Sequence, residues 1–202
     1  GGDRMRILLD EDEKLSFNET KEAIDTLAGR GEIDVVNVCT LLGAYMLKLA
    51  GKGDDIINNI KLLQSKIDSG EGLAKFKEFI SRQWGESRII DEPELLMKAK
   101  YKIPVNSIKD GYIASIEAKN IGQAVVNLGG GRMKKEDEVD YFVGIEVLKK
   151  IGDKVQNGEP LLYIHANDET KGLMQVEFLR NSYSISDEVV QKQKEILDVI
   201  EN

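Results

Sequence analysis

The spacing of apolar residues changes once along this chain of 202 residues, near Asp91-Glu92-Pro93. Before that point apolar residues recur every three or four positions, the period of a helix. After it they alternate or cluster in runs of four to eight, bounded by Lys109-Asp110-Gly111, Gly152-Asp153 and Asn157-Gly158, the punctuation of strands. A chain with this break cannot be a single helical bundle or a single sandwich. It predicts an α+β (α/β) protein with a boundary between residues 92 and 100, giving domains of 1–95 and 96–202.

In the first part, Arg6 to Leu9 (RILL) reads as one strand, followed by the acidic loop LDEDEKLSFNET. Asn18 is placed as an N-cap for a helix reaching Gly29, with Glu19 and Glu22 at the positive end of its dipole. Ile33 to Ala50 is apolar nearly all round, which predicts a buried helix. Ile56, Ile60, Leu63 and Ile67 mark a third helix, and Leu73, Phe76, Phe79 and Ile80 a fourth. In the second part YKIPV, GYIASIEA, VGIEVLKKI and PLLYIHA read as strands. Lys119 to Leu128 and Glu169 to Arg180 read as helices. The tail from Ser184 reads as a short helix or turn and then a last strand, ILDVI.

Composition narrows the function. Hydrophobic residues make up 41% and charged residues 32%, as in globular proteins. The formal net charge of −8 disfavours phosphate backbones, so nucleic acid is not an expected partner. No apolar run approaches the roughly 20 residues of a membrane span. GGDRMRILLD lacks a signal-peptide layout, so the cytoplasm is the expected location. Cys39 is the single cysteine, and within VVNVCTLLGAYML it reads as a small core residue.

Three stretches could carry chemistry. Gly152 to Asp168 (GDKVQNGEPLLYIHAND) resembles the hairpin of biotinyl and lipoyl carrier domains. Registered from Gly158, Leu161 and Ala166 fall on the carrier positions, but Asp168 stands where the carrier lysine would be. A carboxylate cannot form the anchoring amide, so cofactor attachment is not expected. His165, the only histidine, lies in an apolar strand without a second histidine or a serine arrangement and reads as structural. Gly129-Gly130-Gly131-Arg132 looks like a phosphate cradle. Such a cradle needs glycines that open a helix, however, and here they close one. Glu136, Asp137 and Glu138 offset Arg132, Lys134 and Lys135. The residues favour a structural elbow.

The order I-G-x-A-x-x-x-L-G-G-G-R, K-E-D-x-x-D-x-x-V-G-I and K-K-x-G-D-x-V-x-x-G-E-P-L-x-x-I-H-A, which runs here from Ile121 to Ala166, resembles the C-terminal region of thymidine and pyrimidine-nucleoside phosphorylases. Upstream, KEAIDTL, GAYMLKLAGK and SGEGLAKFKEFISRQWG resemble the helices that precede this region. The resemblance implies that residues 1–95 are the remainder of the central α/β domain, mostly helical with one strand. Residues 96–202 would then be a barrel-sandwich, hammerhead-like C-terminal α/β domain. It also implies a parent reaction, phosphorolysis of a pyrimidine nucleoside to base and pentose 1-phosphate, with phosphate as co-substrate.

The K-H-S-T-G-G phosphate loop of that family does not occur in residues 1–202, nor do its base-holding residues. The expectation is therefore a C-terminal portion that is inactive alone. Its partner would be the missing N-terminal half or a separate chain supplying it, with homodimerisation as a further expectation. No catalytic or substrate-binding residue is assigned. Glu22 matches the glutamate that in some relatives ligates a structural potassium ion, although DEDEKLSF is shorter than the family's loop there. No other cofactor is expected. Two alternatives stand beside this reading: a non-catalytic barrel-sandwich binding or assembly module, and part of an AMP-phosphorylase-like enzyme.

Overall fold

The computed structural model describes residues 17–83, 85–92, 95, 99–132, 134 and 138–192. The expected strands RILL and ILDVI, and the acidic loop through Ser16, lie outside these residues, while its last residues, Phe17 to Thr20, form the start of a helix instead. The chain divides into two compact units near residues 96–97.

The first unit contains four helices, α1 (Phe17–Leu27), α2 (Ile33–Leu49), α3 (Ile56–Asp68) and α4 (Glu71–Arg82), and a 3-10 turn at Ser87–Ile90. Helix α1 starts at Phe17, so Asn18 sits inside the helix and not at its cap. Helix α3 is capped by Asp55, whose Oδ1 accepts from the Asn58 amide at 2.9 Å. Gly70 takes a positive φ of 76° between α3 and α4, a bend that a side chain would strain. Helices α2 and α3 approach closely. A Cβ on Gly43 would come within 2.8 Å of Leu63 Cδ1. Buried Asn59 donates through Nδ2 to the carbonyls of Ala44 (3.1 Å) and Gly53 (2.9 Å), fixing the α2–α3 connection. Buried apolar residues are Ile24, Ala44, Ile80, Ile89 and Ile90.

Helix α2 departs from the expectation of burial. Only Thr40 and Ala44 are buried on it. Leu42, Met46 and Leu49 are 56%, 67% and 87% exposed, and Cys39 is exposed rather than a core residue. The composition is that of a buried helix, but α3 covers only one of its sides.

The second unit is α+β. Strands β1 (Tyr101–Asn106), β5 (Pro160–Ala166) and β3 (Gly144–Val147) form one antiparallel sheet in the order β1-β5-β3. Strands β4 (Lys154–Val155), β2 (Gly111–Ile116) and β6 (Tyr183–Ser186) form another, in the order β4-β2-β6. Helices α5 (Ala118–Leu128) and α6 (Glu169–Arg180) join them. The mixed α+β class expected from the sequence is what the structure has. The segment from Ser184, expected to be a turn or short helix, instead continues β6, because Ile185 pairs with Ile113. The strands on either side of Asn157-Gly158 do not pair with one another, as a simple hairpin would. Strand β4 joins β2, and β5 joins β1 and β3.

One apolar core unites the two sheets: Val105, Ile113, Val155, Leu161, Leu162, Ile164 and Leu179 are all fully buried. At Gly172 of α6 a Cβ would lie 2.6 Å from Ile103 Cδ1 and 3.1 Å from Ala166 Cβ, so glycine lets the helix sit against β1 and β5.

Candidate functional site

The glycine run closes α5. Gly129 has φ +99°, and its amide donates to Val126 O at 3.0 Å, while the Gly130 amide donates to Val125 O at 2.9 Å. These bonds satisfy carbonyls that a helix end leaves open, the geometry of a left-handed cap. A Cβ on Gly130 would meet Val125 Cγ1 at 2.8 Å and Val143 Cγ2 at 3.1 Å, and one on Gly131 would meet Val126 Cγ2 at 2.8 Å. The amides of Gly129 and Gly130 are thus committed to the helix and do not face an anion.

The elbow is locked to the strand that follows. The Asp140 amide donates to Gly129 O at 2.8 Å. Asp140 Oδ1 accepts from the Phe142 amide at 3.0 Å, and Oδ2 accepts from Asn167 Nδ2 at 2.7 Å. Asn167 Oδ1 in turn accepts from the Lys100 amide at 3.1 Å. So Asp140 and Asn167, distant in sequence, join three segments. Asp168, the residue in the carrier-lysine position, is the N-cap of α6: its Oδ1 accepts from the Lys171 amide at 3.0 Å. Where a carrier domain would present a modifiable amine, this chain starts a helix.

His165 is 8% exposed, and its Nε2 lies 2.9 Å from Glu146 Oε2. Lys102 Nζ pairs with the same oxygen at 2.9 Å and stands 4.0 Å from the centre of the Tyr163 ring. The register explains the cluster. Lys102 is opposite His165, and Glu146 is opposite Tyr163, so neighbouring strands bring all four together. Partial burial raises the Glu146 pKa, but hydrogen bonds from Lys102 and His165 outweigh it and hold the carboxyl below its usual range. His165 stands out in the sequence, but its partners do not, because strand register is not written in local spacing. The arrangement gives the buried imidazole a carboxylate partner through side chains from three strands.

Glu22 is exposed on α1. One exposed carboxylate does not make a cation site, and the loop that would add carbonyls lies outside the described residues. Among the described residues no group of three or more His, Cys, Asp or Glu side chains is placed to hold a metal ion. No helix among them is long and apolar enough to cross a membrane.

The described residues of the second unit thus place two sheets on a common core, an elbow at the end of α5, and a helix capped by Asp168. Residues 112–186 match the family model described as the pyrimidine nucleoside phosphorylase C-terminal domain, in keeping with the motifs from Ile121 to Ala166. Pyrimidine-nucleoside phosphorylases of Staphylococcus aureus, among them those of strains bovine RF122 / ET3-1 and USA300, are 44% identical over 172 residues. The match takes in 85% of this chain and 40% of each relative, so the chain spans about two fifths of the length of the curated relatives it matches.

Proposed function

We propose that this chain supplies the C-terminal, non-catalytic portion of a pyrimidine-nucleoside phosphorylase. The observation that carries this reading is the 44% identity over 85% of the chain to proteins named for that activity. In the parent reaction phosphate attacks the anomeric carbon of the nucleoside, and base and pentose 1-phosphate are released. Positive charge develops on the sugar and negative charge on the base, so donors around the phosphate and cations beside the base would stabilise the transition state. Those groups are to come from polypeptide outside residues 1–202, in the same chain or another. Residues 96–202 would complete the wall of the cleft and support closure over it. Residues 1–95 would belong to the central domain, with Glu22 as the one candidate potassium ligand, in a cytoplasmic homodimer.

The test is a phosphorolysis assay with uridine and thymidine on the 202-residue chain at high concentration. No turnover is expected, with turnover appearing when the remainder of a phosphorylase is supplied. Appreciable turnover by the chain alone would refute the non-catalytic assignment.

A second reading, a non-catalytic binding or assembly module, draws support from the apolar core that the two sheets of the second unit share. An AMP-phosphorylase-like parent is separated from the first reading by offering AMP in the reconstituted assay.

A further inference from the structure

Helix α2 carries an apolar face that stays exposed among the described residues. Cys39, Leu42, Met46 and Leu49 are spaced by three, four and three, so at about 3.6 residues per turn they share one face. All four are exposed. Thr40 and Ala44, the buried positions, lie on the opposite face, which α3 closes through Leu63 and Asn59. A stripe of three large apolar side chains and a thiol, with no charged residue among them, is the pattern of a surface that another element covers.

The relatives indicate what covers it. The match spans 172 of 202 residues, leaving 202 − 172 = 30 outside it. Wherever the match begins, it therefore includes residues 31–172, and so all of α2. It accounts for 40% of each relative, leaving 100 − 40 = 60% of a phosphorylase chain that the described residues do not provide. We propose that the Cys39–Leu42–Met46–Leu49 stripe is the docking face for that remaining portion of a pyrimidine-nucleoside phosphorylase, through an apolar surface of its own. This rests on the reading given under Proposed function, and it names the surface through which the two portions join. A second copy of this chain is the rival occupant, and the test separates the two.

The stripe contains its own reporter, since Cys39 is the only cysteine of the chain. The portion of the Staphylococcus aureus relative that lies outside the match is co-expressed with this chain, and is also fused ahead of it as a single chimera. Alkylation of Cys39 is followed at its own peptide by mass spectrometry in the chain alone, the co-purified complex and the chimera. The expected result is co-purification in equal amounts and labelling of Cys39 slowed roughly tenfold or more in complex and chimera. Leu42→Glu and Met46→Glu should weaken association by about tenfold or more while leaving the melting temperature of the chain alone unchanged.

Cys39 labelled as fast in the chimera as in the chain alone would overturn the proposal, even if the co-expressed portion proves insoluble. So would a complex indifferent to both substitutions. Self-association of the chain alone that protects Cys39 and is lost in Met46→Glu would assign the face to a second copy, and would overturn it equally. Phosphorolysis is read on the same samples. Protection of Cys39 without turnover keeps the docking face and sinks the enzymatic reading. Turnover with unprotected Cys39 does the reverse.

Discussion

In the sheet unit Leu161, Leu162 and Ile164 are fully buried, whereas in the helical unit Leu42, Met46 and Leu49 stand mostly in solvent. Both sets are aliphatic or thioether side chains of similar size, and the surroundings make the difference. The sheet unit has two sheets and two helices that share one core. Its long-range bonds, such as Asp140 to Asn167 and Arg180 Nε to Asn106 O at 3.0 Å, tie segments far apart in sequence. The helical unit is held mainly by neighbours in sequence: Lys66 to Glu71 at 2.5 Å, Lys75 to Glu78 at 2.8 Å, and the α2–α3 contact through Asn59. The first two pairs are exposed and add little. The sheet unit builds a core shared by two sheets, although Leu173 and Met174 of α6 are also exposed, whereas on α2 of the helical unit only Thr40 and Ala44 are buried.

The largest expected effect tests that contrast directly. Ile164→Ala should destabilise the sheet unit by about 2–5 kcal/mol, because the side chain is fully buried and leaves a cavity. Met46→Ala should stay within about 0.5 kcal/mol in the chain alone. Urea unfolding of both variants is the check, and equal losses would mean that α2 is covered in solution.

Alkaline pH should act next, and on the sheet unit. Burial pushes the Tyr183 phenol up from 10.0 to about 12. A group whose folded pKa is raised contributes fully below its unfolded value. Stability should thus be constant below pH 10 and fall as pH rises from 10 toward 12, by about 1.4 kcal/mol for each step of one in pH. Tyr183→Phe should flatten that slope in melting curves taken from pH 9 upward.

Removal of helix caps should be intermediate and alike in the two units. Asp168→Ala and Asp55→Ala each remove a side-chain acceptor at an N-cap, and each should cost about 1 kcal/mol. Amide hydrogen exchange would show whether each loss stays within its own unit, which sharpens the division near residue 96. The smallest effect is expected at Glu146. Its pKa is held low, so its contribution is present above the usual 4.5 and is lost as pH falls through the depressed folded value. Glu146→Gln should therefore narrow the stability difference between pH 6 and the acid limb.

Much of the local structure is legible in the sequence. Helix α6 runs from Glu169 to Arg180 as the spacing predicts, and α5 begins one residue before the expected Lys119. Gly129 ends α5 in a left-handed cap, the elbow that the order helix-then-glycines implies. Strand β4 is only two residues long, and β6 extends into a segment whose residues suggest a turn. Both exist through pairing with β2 and not through propensity. Glu146 and Lys102 cannot be joined to His165 without the register of β1, β5 and β3. The exposure of α2 is hidden from the sequence, because composition says that a helix must be covered and does not say by what.

By itself the sequence determined the α+β class, most of the element positions, the family likeness of the motifs from Ile121 to Ala166 and a carboxylate, Asp168, where a carrier domain has its lysine. These follow from periodicity, turn chemistry and residue identity, which act over a few positions. The tertiary structure decided that β4 and β5 belong to different sheets, that His165 is answered by Glu146 and Lys102, and that one face of α2 stands open. Each of these depends on which distant segments meet, and pairing free energy between segments is not encoded in the spacing of either one.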